Sequence, residues 1–336
     1  MRKLLKHLHT FKGFEELLHG INDQSFDDIA LQLFRFQAKD NPVYSSYLQH
    51  LHVDPFSIQS ISQIPFLPIS FFKTHSVVTG KWNQETVFTS SGTTGVATSK
   101  HFVHSLAFYQ QHSEKLFQEI FGPLTDYHIL ALLPSYLERE GSSLVYMVDY
   151  FIRKSDSVHS GFYLHNTDAL LKKIDEIKNG DRKLLLLGVS FALLDLADKE
   201  QIDLKKCVIM ETGGMKGRRK ELTREELHTI LKRQFNVDRI HSEYGMTELL
   251  SQGYSGGEGI FTSPRTMKIF AKDINDPFFS LDHEKTGIMN VVDLANIHSC
   301  AFIETQDLGR TFQNGNFEVL GRIDNSDIRG CNLLVG

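Results

Sequence analysis

The fold class of this chain is indicated by residues 183–199, which read KLLLLGVSFALLDLADK. Residues 183–187 form the uninterrupted apolar run of a strand that is buried on both faces, and residues 191–199 have the spacing of a helix. The apolar stretch ends at Asp195, well short of the roughly 20 residues that a membrane span requires. The segment therefore predicts a buried strand that leads directly into a helix.

The same alternation of strand and helix extends in both directions from this segment. We predict strands at residues 86–88, 101–103, 128–133, 207–210 and 239–242, and helices through Leu116, near Tyr146 and over residues 223–235. The last of these helices begins with Thr223 and has Glu226 three residues later, which is the pattern of a capping box. This order of elements indicates an α/β domain.

The two ends of the chain follow other patterns. The first sixty residues are predicted to be mostly helical, with one helix over residues 25–39 that Ser25 caps together with Asp28. After Gly259, short strands are predicted at residues 266–270, 288–292, 301–303 and 317–320, with Gly287, Gly309, Gly315 and Gly321 between them. We therefore expect a helical N-terminal region and an α/β core over residues 1–260, and a β-rich subdomain with a C-terminal tail over residues 261–336.

Composition and charge exclude several classes of function. The 336 residues carry 36 Lys and Arg against 41 Asp and Glu, a net charge of -5, so nothing favours binding to nucleic acid or to an anionic membrane surface. The three cysteines, Cys207, Cys300 and Cys331, are too few for a secreted disulfide framework, and the N-terminus lacks the apolar run of a signal peptide. These features predict a globular protein of the reducing cytoplasm.

A cluster of hydroxyls and glycines follows the predicted strand at residues 86–88. The stretch Thr89-Ser90-Ser91-Gly92-Thr93-Thr94-Gly95 allows backbone N–H groups to converge, and its hydroxyls add neutral donors for phosphate oxygens. It lacks the spacing of a Walker loop, and no Gly-x-Gly-x-x-Gly occurs in the chain. An ordinary polar turn between two strands is the alternative interpretation.

Two further clusters follow predicted strands, where open α/β sheets bind ligands. In Tyr244-Gly245-Met246-Thr247-Glu248, the glutamate can bind Mg²⁺, the threonine can contact phosphate and the tyrosine can stack on a base. The alternative interpretation is a tyrosine in the core beside a solvated glutamate. In Thr212-Gly213-Gly214, the glycines permit close approach of a flat ligand. The basic run that follows, from Lys216 to Lys220, is more typical of a solvated helix start than of a phosphate clamp.

The remaining polar residues carry weaker signals. Asp307 and Asp324 each lie in a stretch typical of a turn, where aspartate is common for backbone reasons alone. The 16 histidines, His101 and His104 among them, show no His-Glu-x-x-His spacing, and no paired Cys-x-x-Cys accompanies them. Scattered core or surface histidines are therefore the better interpretation.

Taken in order, these motifs resemble those of one superfamily. SSGTTG (90–95), TGG (212–214), YGMTE (244–248), an Asp before Leu-Gly (307–309) and Gly-Arg-x-Asp (321–324) are similar to the motifs of the adenylate-forming acyl-CoA synthetases and luciferases. Within that superfamily the chain most closely resembles the acyl-protein synthetases of bacterial luminescence, through LLPSYLER (132–139), SSLVYM (142–147), VDLAN (292–296) and DLG (307–309). The resemblance covers almost the whole chain. It implies the α/β fold of the large N-terminal domain of these enzymes, with a β-rich subdomain.

The resemblance also implies a role for each matching residue. The residues that would bind the triphosphate of ATP are Ser90, Ser91, Gly92, Thr93, Thr94 and Gly95. Gly213 and Gly214 would line the adenine, and Tyr244 would pack on it. Asp307 would bind the ribose hydroxyls, and the nucleotide would also be contacted by Gly245, Met246 and Arg322. Thr247 and Glu248 would act in catalysis on phosphate and Mg²⁺. Lys100 lies near the place where the superfamily loop often ends with lysine, but the usual Pro-Lys-Gly ending is missing and Lys100 is assigned no role.

The reaction and its partners follow from the same resemblance. The sequence ends at Gly336, without the mobile C-terminal lid domain and catalytic lysine of typical acyl-CoA synthetases, and the luminescence synthetases with this short form pass the acyl group to a cysteine of their own near the C-terminus. Cys331 occupies such a position. We therefore expect ATP- and Mg²⁺-dependent conversion of a carboxylic acid, in this family a fatty acid, to an acyl adenylate and then a thioester, with an acyl reductase or carrier protein as acceptor. The alternatives are a ligase that uses an aryl or short-chain acid or delivers to coenzyme A, and a nucleotide-binding protein without turnover.

Overall fold

The computed structural model describes residues 10–18, 20–90, 98–134, 140–213 and 222–323. The α-helices of these residues are α1 (Phe11–Leu18), α2 (Asp23–Asp40), α3 (Pro42–His50), α4 (Phe71–Thr74), α5 (Leu106–Phe121), α6 (Ser143–Lys154), α7 (Thr167–Ile177), α8 (Ser190–Lys199) and α9 (Arg224–Phe235). The strands are β1 (Leu67–Pro68), β2 (Thr86–Thr89), β3 (Lys100–Val103), β4 (Tyr127–Leu132), β5 (Gly161–Phe162), β6 (Lys183–Val189), β7 (Val208–Thr212), β8 (His241–Tyr244), β9 (Gly253–Ser255), β10 (Ile260–Thr262), β11 (Met267–Lys272), β12 (Gly287–Asp293), β13 (Phe302–Thr311) and β14 (Phe317–Arg322). Short 3-10 helices lie at Ile61–Gln63 and Leu124–Asp126.

Most strands of the described residues belong to one mixed sheet. Its parallel part has the order β5-β4-β6-β7-β8, and its antiparallel part continues as β9-β10-β14-β13-β12-β11, with β1 paired in parallel to β13. β2 and β3 form a separate antiparallel hairpin. Because the parallel strands are joined through α6, α7, α8 and α9, their carboxyl ends lie at one edge of the sheet. This arrangement confirms the predicted α/β fold class.

The predicted strand-to-helix segment lies in the middle of the parallel part. β6 pairs with β4 on one side and β7 on the other, and residues 184–187 are at most 2% exposed. A Cβ at Gly188 would lie 2.8 Å from the Cβ of Leu132 and 3.1 Å from the Cγ of Leu193. Glycine at this position therefore lets β4, β6 and α8 pack directly against one another.

The helical N-terminal region is confirmed, but one predicted cap is wrong. α2 begins at Asp23, because the side chain of Asn22 accepts hydrogen bonds from the backbone N–H groups of Gln24 and Ser25, both at 3.1 Å. Ser25 is the third helical residue, and its hydroxyl accepts from the N–H of Asn22, which completes a capping box. Asn22 is an equally good cap one turn earlier, so the helix starts there and not at Ser25.

The strands after Gly259 differ from the prediction in one respect that affects the candidate site. The strand predicted at residues 301–303 is present as the start of β13, but β13 continues to Thr311. The turn predicted around Gly309 is therefore wrong, and Asp307 lies within a strand. Gly309 lies at a register shift between β13 and β14, where a Cβ would lie 2.5 Å from the Sδ of Met289 and would collide with the carbonyl oxygen of Glu318. Only glycine fits at this position, because any side chain would collide with the neighbouring strands. With glycine there, β13 continues through the register shift without a break.

Two further observations complete the fold. The strands on both sides of residue 260 contribute to the same sheet, and the division of the chain at that point stays a prediction. Among the described helices, none combines the length and the apolar composition needed to cross a bilayer.

Candidate active site

The candidate site begins at the carboxyl ends of two neighbouring parallel strands. β7 ends at Thr212 and β8 ends at Tyr244, and the register pairs Thr212 with Glu243. The residues that follow each strand, Gly213 and Gly245, therefore start at the same edge of the sheet. Ligands of open α/β sheets bind at this edge.

The β2–β3 hairpin holds the two ends of the predicted phosphate loop together. Thr89 pairs with Lys100, the N–H of Ser90 donates to the carbonyl oxygen of Ser99 at 3.2 Å, and the N–H of Ser99 donates to the hydroxyl of Ser90 at 2.9 Å. Ser91, Gly92, Thr93, Thr94 and Gly95 lie outside the described residues. Lys100 is exposed beside this base.

This hairpin also contacts the segment that follows β8. The side chain of Ser99 lies near the carboxylate of Glu248, and the Nδ1 of His101 lies 2.8 Å from the carbonyl oxygen of Thr247. Burial lowers the pKa of His101 to about 4, so the ring is neutral at pH 7 and its Nδ1–H donates to that oxygen. The structure thus brings Ser90, Thr247 and Glu248, which are predicted to serve the phosphates, to one place.

Glu248 is buried, with 5% of its surface exposed, so it is not the solvated glutamate of the alternative interpretation. Burial raises the pKa of its carboxyl, and the negative charge of Asp307 acts in the same direction, while the side chain of Ser99 and the charge of Arg322 oppose this rise. A cation next to Glu248 would offset the desolvation of the carboxylate. Its oxygens are of the type that Mg²⁺ prefers, and the position beside the loop base fits that metal.

Tyr244 is a buried residue that joins β8 to β13. Its ring packs against Phe317 and Phe261, with centroids 5.4 Å and 5.9 Å away, and its hydroxyl donates to Oδ2 of Asp307 at 2.9 Å. Asp307 faces Arg322 across the β13–β14 ladder, where the Nε of Arg322 lies 3.8 Å from its Oδ1. Burial raises the pKa of Asp307, against the opposing effects of Arg322 and Tyr244. The three residues predicted to contact adenine, ribose and nucleotide are therefore neighbours.

Gly245 and Met246 form the turn after β8. A Cβ at Gly245 would lie 2.5 Å from Oε1 of Glu243, and the carbonyl oxygen of Met246 accepts from the N–H of Leu249 at 3.1 Å. Glu243 is buried and accepts a hydrogen bond from the hydroxyl of Thr212, and burial raises the pKa of Glu243 to about 7. Sequence analysis missed Glu243, although a carboxylate in a strand buried on both faces is itself a signal.

Gly213 adopts a left-handed backbone conformation, with φ at +67°, and its carbonyl oxygen accepts from the hydroxyl of Ser190 at 2.6 Å. Glycine is needed here because other residues rarely adopt this conformation. Gly214 and the basic residues after it lie outside the described residues. Beneath Gly213, Oε1 of Glu211 lies 3.4 Å from Nε of Arg224 and 3.6 Å from Nε2 of His228, a buried polar cluster that sequence analysis also missed.

The VDLAN stretch supports the site from behind. The carboxylate of Asp293 accepts from the N–H groups of Leu250, Ser251 and Ala295 and from the hydroxyl of Ser251, at 2.6 Å to 3.1 Å. The Nδ2 of Asn296 donates to the carbonyl oxygen of Glu248 at 2.7 Å. These bonds fix the backbone on the C-terminal side of Thr247 and Glu248.

The cysteines separate into two groups. Cys331 lies outside the described residues. Cys300 is buried and Cys207 is half-buried, and burial raises the pKa of these thiols to about 12 and about 11. Both are protonated at neutral pH and are poor nucleophiles, in agreement with their predicted place in the core.

Comparisons with known proteins agree with this arrangement at the level of the fold. No protein-family model matches the chain, and no curated protein matches it in sequence. The structure is similar to ATP-bound MatB from Rhodopseudomonas palustris, with 15% identity over 70% of this chain and 47% of that chain and a TM-score of 0.52. It is also similar to o-succinylbenzoate CoA synthetase (MenE) from Bacillus subtilis in complex with the acyl-adenylate intermediate OSB-AMP, with 17% identity over 73% of this chain and 50% of that chain and a TM-score of 0.51.

The chain shares their fold. It spans about half the length of these solved proteins. The predicted adenylate-forming fold is thereby confirmed. The specific resemblance to the acyl-protein synthetases of bacterial luminescence stays a prediction.

Proposed function

We propose that this chain is an ATP-dependent ligase that activates a carboxylic acid as its acyl adenylate and transfers the acyl group to a thiol. One arrangement carries the proposal: Ser99, which is bonded to Ser90 at the base of the hydroxyl-rich loop, lies near the buried Glu248, and Tyr244 is bonded to Asp307 close by. Neutral donors for phosphate, a carboxylate for a metal ion and an acceptor for ribose hydroxyls are thus assembled at one sheet edge. The shared fold of a synthetase solved with ATP and another solved with an acyl adenylate supports this assignment.

In the first step, a carboxylate oxygen of the acid attacks the α-phosphorus of ATP. The bond from that phosphorus to the bridging oxygen breaks, and pyrophosphate leaves with the electron pair. Ser90 and the loop that follows it donate hydrogen bonds to the phosphates, Thr247 contacts the reacting phosphoryl group, and Asp307 holds the ribose. Their contribution is to orient the reactants and to stabilise the developing charge.

Mg²⁺ is the metal that this site would hold. The ion usually binds one or two protein carboxylates together with substrate phosphates, and Glu248 offers one carboxylate next to the loop base. When bound, Mg²⁺ neutralises charge on the phosphates. The hydrogen bond from Nδ2 of Asn296 to the backbone carbonyl oxygen of Glu248 helps to orient Glu248 for this role.

In the second step, a thiolate attacks the acyl carbonyl carbon, the bond from that carbon to the phosphate oxygen breaks, and AMP leaves. We assign the thiol to Cys331 on the strength of the sequence resemblance; burial raises the pKa of the half-buried Cys207 and of the buried Cys300, so both are poor nucleophiles at neutral pH. An acyl reductase or a carrier protein then receives the acyl group. The acid is a fatty acid in this proposal, on the strength of the sequence resemblance.

Exchange of radioactive pyrophosphate into ATP, dependent on added acid, tests the first step. We expect exchange with long-chain fatty acids from a panel that also contains aryl and short-chain acids. Glu248→Gln and Thr247→Ala are each expected to reduce the exchange rate at least about tenfold, a loss of about 1.4 kcal/mol of transition-state stabilisation. Glu200→Gln serves as the control, because Glu200 is exposed and is distant in sequence from Thr247 and Glu248. A protein that binds ATP without any acid-dependent exchange would contradict the proposal.

Intact-protein mass spectrometry after incubation with ATP and the acid tests the second step. The wild type is expected to gain the mass of one acyl group, and Cys331→Ala is expected to lose that gain while it keeps pyrophosphate exchange. Unchanged acylation of Cys331→Ala would show that Cys331 is not the acyl acceptor. Loss of acylation together with new acyl-CoA formation on addition of coenzyme A would assign the acceptor to the alternative ligase.

A further inference from the structure

A cluster of possible metal ligands lies outside the candidate active site. It consists of Glu15 on α1, His104 directly after β3 and His298 in the segment after β12. One side-chain ligand atom from each of the three residues lies within 4.8 Å of the others. The rings of His104 and His298 are stacked, with centroids 4.1 Å apart and an interplanar angle of 9°, and Oε1 of Glu15 lies 3.9 Å from Nε2 of His298.

We propose that Glu15, His104 and His298 bind one divalent transition-metal ion of the Zn²⁺ class. Two imidazole nitrogens and one carboxylate oxygen are a donor set that Zn²⁺ takes in proteins, with a fourth position left open to water. The oxygen-preferring Mg²⁺ of the proposed ATP site does not compete for such ligands. The inference is independent of the proposed function.

The chemistry of the two histidines suits a metal. Each imidazole has a ring nitrogen whose lone pair can coordinate a metal ion. The Nδ1 of His104 is buried and has no hydrogen-bond partner in the part of the chain that the structure describes. A buried polar atom without a partner is costly, and a bound cation would relieve that cost.

Neighbouring aromatic rings hold this cluster in place. The ring of Trp82 meets both imidazoles edge-on, at 5.4 Å from His104 and 5.5 Å from His298, and Phe11 stacks on His298 at 4.3 Å. Trp82 is itself held by a hydrogen bond from Nε1 to the carbonyl oxygen of Thr79, at 2.8 Å. These contacts keep the two imidazoles next to each other in the folded chain.

Metal binding requires a local contraction. Ligands at about 2.0 to 2.2 Å from a tetrahedral Zn²⁺ lie roughly 3.3 Å apart, so the three atoms must approach by up to about 1.5 Å. The carboxylate of Glu15 is partly exposed on its helix and can reach inward by a change of rotamer. The lone pairs of the two imidazoles lie in nearly parallel ring planes, which do not meet at a single ion, so one ring must also turn about its χ2 angle. The bound ion would then tie α1 to the β3 and β12 ends of the core.

Titration of the nucleotide-free, metal-free protein with Zn²⁺ tests the proposal, with Co²⁺ as the spectroscopic probe. We expect one tight site per chain and visible Co²⁺ bands typical of a four-coordinate site without thiolate ligands. His298→Phe keeps an aromatic ring in the stack but removes its nitrogens, and Glu15→Gln changes a partly exposed side chain. Each is expected to weaken Zn²⁺ binding at least about tenfold. His50→Phe, at an exposed histidine on α3, is the matched control and is expected to bind like the wild type.

A second readout is thermal unfolding. Zn²⁺ is expected to raise the Tm of the wild type and of His50→Phe, because an ion that binds only the folded state stabilises it by mass action, and to leave the Tm of Glu15→Gln nearly unchanged. Absence of a tight site in the wild type would overturn the proposal. Equal Zn²⁺ affinity in the wild type and both ligand variants, or a Co²⁺ spectrum with thiolate charge-transfer bands, would also overturn it.

Discussion

Replacement of Tyr244 by phenylalanine removes one atom at the centre of the candidate site. The lost hydroxyl donates to Asp307 at 2.9 Å, and a buried hydrogen bond to a charged acceptor contributes about 1.5 to 3 kcal/mol. Arg322 compensates little, because its Nε is 3.8 Å from Asp307 and its side chain is 64% exposed. We therefore expect Tyr244→Phe to lower the free energy of unfolding by about 2 kcal/mol.

The same change is expected to affect ATP. If Asp307 accepts the ribose hydroxyls, loss of the tyrosine frees the carboxylate to rotate, and we expect the Kd for ATP to rise about tenfold, which is about 1.4 kcal/mol. Urea unfolding with and without Mg²⁺ and ATP measures both effects, because the stabilisation by ATP reports its affinity for the folded chain.

Tyr150→Phe is a matched control, because its hydroxyl also donates to a carboxylate, Oε2 of Glu114, at 2.6 Å, between α5 and α6. We expect this variant to lose stability to a comparable extent and to keep its affinity for ATP. Equal ATP affinity in Tyr244→Phe and Tyr150→Phe would refute the role of the Tyr244–Asp307 pair. An unchanged free energy of unfolding in Tyr244→Phe would refute the energetic estimate itself.

Three other outcomes follow from the structure. Glu243 has a folded-state pKa of about 7 against an ordinary value of 4.5, so between these values the folded state holds a proton that the unfolded state releases, and stability falls as pH rises through that window. We expect Glu243→Gln to abolish this fall in the free energy of unfolding, which is on the order of 3 kcal/mol and can be measured by chemical denaturation at pH 4.5 to 8. If the free energy of unfolding depended on pH in the same way in the variant, the burial of an ionisable group at this position would be contradicted. Asn296→Ala removes the bond to the backbone of Glu248 and is expected to lower the pyrophosphate exchange rate about tenfold with a native circular-dichroism spectrum, whereas full activity would show that this support is dispensable. Gly309→Ala is expected to lower the free energy of unfolding by about 3 kcal/mol or more, because the added Cβ would collide with Met289 and Glu318. In Gly321→Ala the added Cβ meets no atom within 4 Å, so stability is expected to be nearly unchanged. Equal Tm values for the two variants would be inconsistent with the packing at Gly309.

The candidate site is supported by segments that have no part in the proposed reaction. Asp293 and Asn296 hold the backbone after Thr247, and Nδ1–H of His101 donates to the carbonyl oxygen of Thr247. Burial lowers the pKa of His101 to about 4, so the ring makes this bond in its neutral form at neutral pH. The turn that would act on phosphate is therefore held between β3 and the segment after β12.

Several elements whose physical cause is local could be predicted from the sequence, although the cap of α2 is Asn22 and not Ser25. Apolar periodicity predicts β6 and α8, the Thr223–Glu226 box predicts the start of α9, and hydroxyl and glycine clusters after strands mark the candidate site. Each of these signals depends on residues within a few positions of one another, which share the same helix turn or strand.

Contacts between distant segments required the folded chain. The hydrogen bond from Tyr244 to Asp307 joins residues 63 positions apart, and Asp307 faces Arg322 only because β13 passes through Gly309 with a register shift. The rings of His104 and His298 are likewise brought into contact only by the fold of the whole chain. Register and strand order set such neighbours, and both depend on how the whole core packs, which no short window of sequence contains.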